Sequence, residues 1–547
     1  MAISSLFKDR LSDQKRLKRE NFASWSNLTI ADRARQLCAI APDTVTHVDA
    51  DIYLTVNQAL QQAESLAQSL WQKDFREGDV LAFITPNWHE AVVINLAACL
   101  LGLVICPIVP IYRDHEVQLI LADSQAKGIF VAHEFRGFNY LLMMQRLRSK
   151  LPNLQHVWTV RGKDTSCADY FEMINNTQVL FQWPEVSPNS VKLVLYTSGT
   201  TGHPKAVLHS HNTLSRAIEI SMSVWGIEPS ETTLMPSPVT HVTGYSFGLE
   251  MPFFEGSRCV LMDKWDAAIA VDIIEREKVA FTLCATPFLQ ELLNLCEQQG
   301  RHLPSMRRFP CGGAAVPPEL IYRVRRVLTN CMAFRVYGSS EAPFITLGYF
   351  TVGQDKLAAE TDGEVYDYEI KLVNPHGLPV QHGSEGEICV KGPALFLGYL
   401  NSQDTESSFD SDGFFHTGDI GVQTPEGALV FTGRIKDLIN RGGEKISAKE
   451  VEDLLHGHPA IAEAAVVGMP HARLGETLCA YVIFRKNQTA TVDQILERLK
   501  EAQVARQKLP EKIIFVDDFP KTASGKVKKD LLRLDVLERL RVAIKLI

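Results

Sequence analysis

The chain has no C-x-x-C pair, although it carries 11 cysteines in 547 residues. Zinc-ribbon and thioredoxin-like readings are therefore weak. Most of the thiols stand in apolar runs, Cys99, Cys106 and Cys284 among them. The expectation is buried, reduced cysteine in a cytoplasmic protein. There is no excess of basic charge: 56 Lys and Arg face 64 Asp and Glu, a formal charge of −8. That balance gives no electrostatic footprint for nucleic acid. The basic cluster Lys526, Lys528 and Lys529 reads, from composition alone, as a solvated face. No apolar run is long and unbroken. The best candidate, Ala91 to Pro110, contains Asn95, Gly102 and Pro107, so it reads as a buried helix followed by a strand, not a membrane span. The first residues, MAISSLFKDRLSDQKRLKRE, are charged throughout and lack the apolar centre of a secretory signal. No segment repeats at a fixed period.

What is present suits a large folded protein. Hydrophobic residues make up 46% and charged residues 22%, the balance of a globular chain. Its length exceeds what one ordinary core fills, so two or more domains are expected. The first half alternates short apolar runs with helical stretches: VLAFITPN (Val80 to Asn87), then HEAVVINLAACLLGL, then VICPIVP. The rhythm returns at CVLMDKW, VAFTLCATP and FRVYGSSE. Such alternation implies α/β architecture, with parallel sheets covered by helices. From about Asp362 glycine and proline become dense and the strands GEICVKG and ALVFTGR are short, which suggests a β-rich subdomain. After Arg434 the texture changes again. Ser447-Ala-Lys-Glu450 has the pattern of a capping box opening the helix VEDLLHGHP. EAAVVGMP and LCAYVIF read as strands, and VDQILERLKEAQVARQK has helical spacing with Ile495 and Leu499 on one side. The boundaries predicted are a large N-terminal domain over 1–435 and a small, mobile α+β domain over 436–547.

The most informative segment is Tyr196-Thr-Ser-Gly-Thr-Thr-Gly-His-Pro-Lys205. It follows a strand-like run, VKLVLY. Gly199 and Gly202 permit close backbone approach. Thr197, Ser198, Thr200 and Thr201 supply hydroxyls, and Lys205 a positive charge. Hydroxyls, exposed amides and a lysine suit a polyphosphate. The loop is not a Walker loop, because His-Pro follows Gly202 in place of Lys-Ser/Thr. Composition alone leaves a generic Ser/Thr/Gly turn open.

The whole string resembles the signature of the acyl-adenylate-forming superfamily: acyl-CoA synthetases, luciferases and nonribosomal-peptide adenylation domains. Further motifs follow in the family's order: Cys311-Gly-Gly-Ala-Ala315, Tyr337-Gly-Ser-Ser-Glu341, His416-Thr-Gly-Asp419, Gly433-Arg-Ile-Lys-Asp437 and Pro520-Lys-Thr-Ala-Ser-Gly-Lys526. The resemblance implies ATP, Mg2+ and CoA as reaction partners of a small carboxylic acid. It assigns Glu341, with Thr201, to the metal. Ser340 and its neighbours Gly338 and Ser339 lie beside the phosphates; family members more often carry Thr at the position of Ser340. Asp419 is expected to accept the ribose hydroxyls, and a carboxylate suits a diol. Arg434 is expected at ribose or phosphate. Gly313, Ala314 and Ala315 are expected flat against adenine, with Tyr337 stacked on the purine. Lys526 is expected to bridge the acid's carboxylate and the α-phosphate, an orienting cation and not a base. His241 flanks the acyl pocket, where it would gate the passage between acid and CoA. Gly244, Tyr245, Ser246, Cys311, Gly313, Pro343 and Phe344 are expected to line a pocket that small residues make roomy. Lys436 is the expected hinge. Its rotation would withdraw Lys526 and present Arg441, Gly442, Gly443 and Lys445 to CoA. Plant aryl-CoA ligases and luciferases often carry Lys where Gly442 stands.

The motifs look most like bacterial short- and medium-chain acyl-CoA synthetases and cyclohexanecarboxylate-type CoA ligases. An aryl acid–AMP ligase loading a carrier protein is the alternative, because siderophore ligases share the Gly-Gly-Glu-Lys run. A luciferase-like oxygenase comes third. A non-enzymatic binder is disfavoured because Glu341, Asp419 and Lys526 are all present. A homodimer stays open, as does the identity of the acid.

Overall fold

A helix that is apolar on every side must be covered on every side. The helix His89–Leu101 is such a case: all of its residues are buried. It packs against strand Val104–Pro107 of one sheet and strand Val45–Asp49 of another, so it fills the space between two sheets. The computed structural model describes residues 22–163, 167–175, 182–197, 204–314, 316–501, 505–522 and 525–545. The N-terminal stretch read above as no secretory signal lies outside these residues.

The two sheets have seven strands each. In one, Met332–Arg335, Arg308–Cys311, Val279–Thr282, Thr232–Met235, Arg258–Leu261 and Val45–Asp49 run parallel, and Ile52–Thr55 closes the edge antiparallel. In the other, the parallel run His156–Val160, Gly128–Ala132, Val80–Ile84, Val104–Pro107 and Val191–Thr197 meets two antiparallel strands, Lys205–Ser210 and Gly398–Tyr399. The expected parallel sheets are thus mixed at their edges. The reversal is local in cause: the Ser/Thr/Gly loop joins Val191–Thr197 directly to Lys205–Ser210, and a short link between neighbouring strands can only make an antiparallel pair.

The β-rich segment forms a four-stranded antiparallel sheet, Glu369–Val373, Gly386–Lys391, Phe415–Gln423 and Leu429–Arg434. Beyond it, Glu444–Ser447, Leu438–Arg441, Gly475–Phe484 and Ile461–His471 build a separate sheet, with Lys512–Phe515 parallel to Gly475–Phe484. Hydrophobic packing divides at the same place. One core runs from Ile30 to Leu429, and two smaller cores draw only on residues from Ile439 onward.

Several details differ from the expectations. The helix expected at VEDLLHGHP begins earlier and spans Ala448–His456. Only half of its capping box forms: Ser447 Oγ accepts the Glu450 amide at 3.4 Å, while the Glu450 carboxylate takes Lys508 at 2.5 Å. The basic cluster is not a simple solvated face, because Lys529 pairs with the buried Glu452 at 2.6 Å. Ile495 and Leu499 are buried on one side of Val492–Glu501, as the spacing predicts. All 11 cysteines are free, and nine are buried. Among the described residues no helix is long and apolar enough to cross a membrane.

Candidate active site

The four-stranded sheet sets one carboxylate firmly. Asp419 lies on the strand Phe415–Gln423, directly across from Arg434 on Leu429–Arg434. Arg434 Nε sits 3.1 Å from Asp419 Oδ1, and the Tyr337 hydroxyl donates to Asp419 Oδ2 at 2.8 Å. Asp419 raises Arg434 further above its ordinary value. Burial, then Asp419, hold the Tyr337 phenol well above its usual range, so it remains a donor. Phe431 covers one face of the Tyr337 ring, 5.7 Å between centroids and 17° from parallel.

A second carboxylate lies one turn beyond Tyr337. The Tyr399 hydroxyl donates to Glu341 Oε1 at 2.9 Å, and the Phe396 amide donates to the Glu341 carbonyl at 2.8 Å. Burial, then Glu341, keep Tyr399 protonated. His209 Nε2 donates to the Ser340 carbonyl at 2.7 Å. The turn is closed by the Ala342 amide donating to Ser339 Oγ at 3.1 Å and by the Ser339 amide donating to the Ala342 carbonyl at 3.0 Å. Lys205, at the far end of the Ser/Thr/Gly loop, sets its ammonium 4.6 Å from the Tyr399 ring and 3.9 Å from Asp404. Ser198, Gly199, Thr200, Thr201, Gly202 and Ala315 lie outside the described residues.

The C-terminal unit adds the cation. The Thr522 amide donates to the Lys526 carbonyl at 2.7 Å, and the Lys526 amide donates to Thr522 Oγ1 at 3.1 Å. This small loop reaches the large unit, where a Cβ at Gly313 would stand 4.0 Å from Lys526 Cε. Burial, then Arg434, bring the Lys526 ammonium down to about 8, while Asp419 and Glu341 pull it upward. His241 is pushed down to about 4 by burial and then by Lys526, so its ring is neutral at physiological pH. Lys526 therefore lies beside Gly313 and within electrostatic reach of Arg434, Asp419, Glu341 and His241.

The expected acyl residues are mostly core. Tyr245, Ser246 and Cys311 are fully buried, and Phe344 is 7% exposed. Phe344 stacks edge-on against Phe247 at 5.1 Å, and the Pro343 carbonyl accepts from the Tyr368 hydroxyl at 3.1 Å. Gly244 is small for the sake of the backbone: a Cβ there would lie 2.1 Å from the Pro238 carbonyl oxygen. Tyr245 opens a π-helical turn, Tyr245–Glu250, a form that marks functional sites in many proteins. Its hydroxyl donates to Asn95, Asn95 donates to Glu250 at 3.0 Å, and Glu250 pairs with Lys192. This buried network was missed in the sequence; its signal is polar residues inside apolar runs. Tyr399, Phe431 and His209 were missed too.

The residues expected at CoA build a hairpin of the C-terminal sheet. Gly442 and Gly443, with φ of 62° and 96°, form the two-residue turn between Leu438–Arg441 and Glu444–Ser447. Two successive positive φ values are the demand of a tight hairpin, which Gly-Gly meets without strain. Arg441 turns to its own sheet, reaching Glu511 at 2.6 Å and Thr477 at 3.3 Å. Lys445 is exposed. Lys436 lies in the turn Ile435–Asp437 between the two units. Asp437 beside it pairs with Arg533 at 2.6 Å.

Fold and side chains together define a protein of two unequal units, in which the Lys526 loop of the smaller approaches Gly313 on the larger. Comparison with known proteins agrees. The AMP-binding enzyme family profile matches residues 35–400, and the profile of the AMP-binding enzyme C-terminal domain matches 450–526. Medium-chain fatty-acid–CoA ligase of Escherichia coli K12 is 32% identical over 97% of this chain and 94% of its own length. The 2,3-dihydroxybenzoate-AMP ligase of Bacillus subtilis is 28% identical over 95% and 96%. The solved structure of o-succinylbenzoate CoA synthetase from Bacillus subtilis, in complex with its acyl-adenylate intermediate, superposes with a TM-score of 0.81 at 25% identity, covering 93% of this chain and 98% of that one. The chain belongs to the AMP-binding enzymes, the acyl-adenylate-forming superfamily, and is an AMP-forming acid ligase.

Proposed function

We propose that the protein is an acyl-CoA synthetase that converts a carboxylic acid, ATP and CoA into acyl-CoA, AMP and pyrophosphate through an acyl adenylate. The observation that carries this reading is the approach of the Lys526 loop to Gly313, within charge range of Glu341 and of the Asp419–Arg434 pair. The first step joins two anions, so its barrier falls when fixed charges are aimed at the reacting oxygens. Asp419, held by Tyr337 and Arg434, accepts the ribose hydroxyls. Arg434, Lys205 and the Ser/Thr/Gly loop meet the phosphates. Lys526 holds the carboxylate oxygen against the α-phosphorus. The carboxylate attacks, the α–β phosphoanhydride bond breaks, and pyrophosphate leaves with its electron pair. The anionic phosphates restore the Lys526 ammonium toward its ordinary range.

Mg2+ fits this site: Glu341 offers a carboxylate beside the Ser340 hydroxyl, the hard oxygen donors this ion takes. When bound, Mg2+ neutralises phosphate charge. Tyr399 keeps Glu341 oriented toward that task.

For the second step we place the hinge at Lys436, between the domains 1–435 and 436–547. Rotation there withdraws Lys526 and turns the Arg441–Lys445 hairpin to the adenylate. Gly442 and Gly443 leave room for the pantetheine thiol, and Arg441 and Lys445 meet phosphate. Neutral His241, between Lys526 and the acyl residues, gates the passage. The 2,3-dihydroxybenzoate-AMP ligase similarity supports a second reading, an aryl acid–AMP ligase whose acceptor is a carrier protein. A panel of straight-chain, alicyclic and aromatic acids, scored by pyrophosphate release, identifies the acid. CoA and a phosphopantetheinylated carrier are then compared as acceptors. Thioester on CoA is expected; turnover with the carrier and none with CoA would replace the first reading by the second.

A further inference from the structure

Among the described residues, two groups of ligand-type side chains come together. In the first, Asp49, His89 and Glu90, charge is already compensated. The Arg161 guanidinium pairs with Asp49, reaches Glu90 at 2.8 and 2.9 Å, and stands 3.2 Å from His89 Nδ1. A cation there would have to expel the arginine.

The second group is Glu387, Cys389 and His416. Cys389 and His416 are direct partners on the strands Gly386–Lys391 and Phe415–Gln423, with an irregularity in register between Glu387 and Cys389. Cys389 Sγ is 3.5 Å from His416 Nδ1, which is 2.9 Å from Glu387 Oε2. The three donor atoms lie within 4.8 Å of one another. In a tetrahedral shell with metal–sulfur and metal–nitrogen bonds of about 2.3 and 2.0 Å, sulfur and nitrogen stand about 3.5 Å apart. Thiol and imidazole are already at that spacing, and the carboxylate oxygen lies within 4.8 Å of both. His416 Nε2 stands 3.9 Å from Asp410 Oδ2, beyond hydrogen-bond length. Lys371, the nearby cation, is held by Asp410 at 2.5 Å. Burial, then Glu387, push the Cys389 thiol up to about 12. The bare protein keeps that proton, and a divalent cation releases it on binding.

We infer that Glu387, Cys389 and His416 form a site for a thiophilic divalent cation of the zinc class. Glu387 Oε1 also accepts the Gly418 amide at 3.1 Å, next to Asp419. Occupancy therefore shifts the carboxylate and weakens nucleotide binding, a consequence that rests on the reading of Asp419 as the ribose acceptor.

The test uses the full chain, stripped by chelator and free of nucleotide, titrated with Co2+ as the spectroscopic probe. A thiolate-to-cobalt absorption band and the visible bands of tetrahedral cobalt are expected, displaced by Zn2+. Because other cysteines are present, the signal is the difference between wild type and Cys389→Ser. His416→Gln, at a partly exposed position, repeats the test if Cys389→Ser fails to fold. Loss of the bands in these variants, and at least tenfold weaker binding in Glu387→Gln, supports the site. Bands of full strength in Cys389→Ser or His416→Gln, or none in wild type, overturn it. Separately, Zn2+ should raise the KM for ATP in wild type and not in Cys389→Ser; equal inhibition of both contradicts the coupling to Asp419. The binding arm needs no turnover, so it stands or falls apart from the adenylation reading.

Discussion

Asp419 and Lys526 carry opposite charges within electrostatic reach of each other, but the chain holds them in different ways. Asp419 is 6% exposed, on a strand with neighbours on both sides, and its two oxygens take Tyr337 and Arg434. Lys526 stands on a small loop closed by its own backbone and Thr522. Among the described residues its ammonium makes no hydrogen bond or ion pair, and it meets the cleft through longer-range charge. The large unit holds Asp419 by direct partners; the small unit brings up Lys526 without one. In the proposed two-step reaction, such a group would be withdrawn after the first step.

The sharpest way to break this comparison is to remove the delivered charge. Lys526→Ala should lower acid-dependent ATP–pyrophosphate exchange by about 10²–10³-fold, the scale of losing one aimed stabilising group. Thioester formation from supplied acyl adenylate should persist. Equal loss of both steps would mean that Lys526 is as fixed as Asp419. Next in size is Asp419→Asn, which keeps an acceptor for Tyr337 and loses the charge opposite Arg434. The KM for ATP should rise roughly tenfold, the scale of a charge-assisted hydrogen bond, with a smaller change in kcat.

The pH profile sharpens the comparison further. The required form of Lys526 is protonated, and its ordinary value is lowered to about 8. Adenylation measured as kcat/KM, which reports the free enzyme, should therefore be flat below about pH 8 and fall as pH rises through it, roughly tenfold per unit. Lys526→Arg should be slower but keep a flat profile to about pH 10, because a guanidinium stays charged. An unchanged decline in Lys526→Arg would assign the pH dependence to another group. The smallest effect is expected for Tyr399→Phe. It frees one Glu341 oxygen and should raise the Mg2+ concentration for half-maximal rate by about two- to tenfold, the range of one ordinary hydrogen bond.

Legibility in the sequence followed the range of the physics. Strand and helix order was readable because period and length are local: Val80–Ile84, His89–Leu101 and Val104–Pro107 fall where the apolar runs and their breakers put them. Asp419, Arg434, Glu341 and Lys526 could be singled out because each sits in a contiguous motif, and the structure sets Asp419 against Arg434 and the Lys526 loop beside Gly313. What was not readable depends on partners far along the chain. Nothing beside Glu450 announces Lys508, which draws its carboxylate out of the capping box. Nothing beside Asn95 announces Glu250 or Lys192. Gly244 is expected at the acyl pocket, and the backbone makes a second demand on it, since a side chain there would meet the Pro238 carbonyl. The Gly442-Gly443 pair carries two meanings at once, since a tight hairpin requires it whether or not a thiol passes by.

The most direct measurement follows the phosphorus. With ATP labelled at the α-phosphate, a suitable acid and Mg2+, the label should pass to an acyl adenylate and then, once acceptor is added, to AMP, with pyrophosphate released in step. Label recovered only as ADP, with orthophosphate as its partner for every acid supplied, would contradict the account.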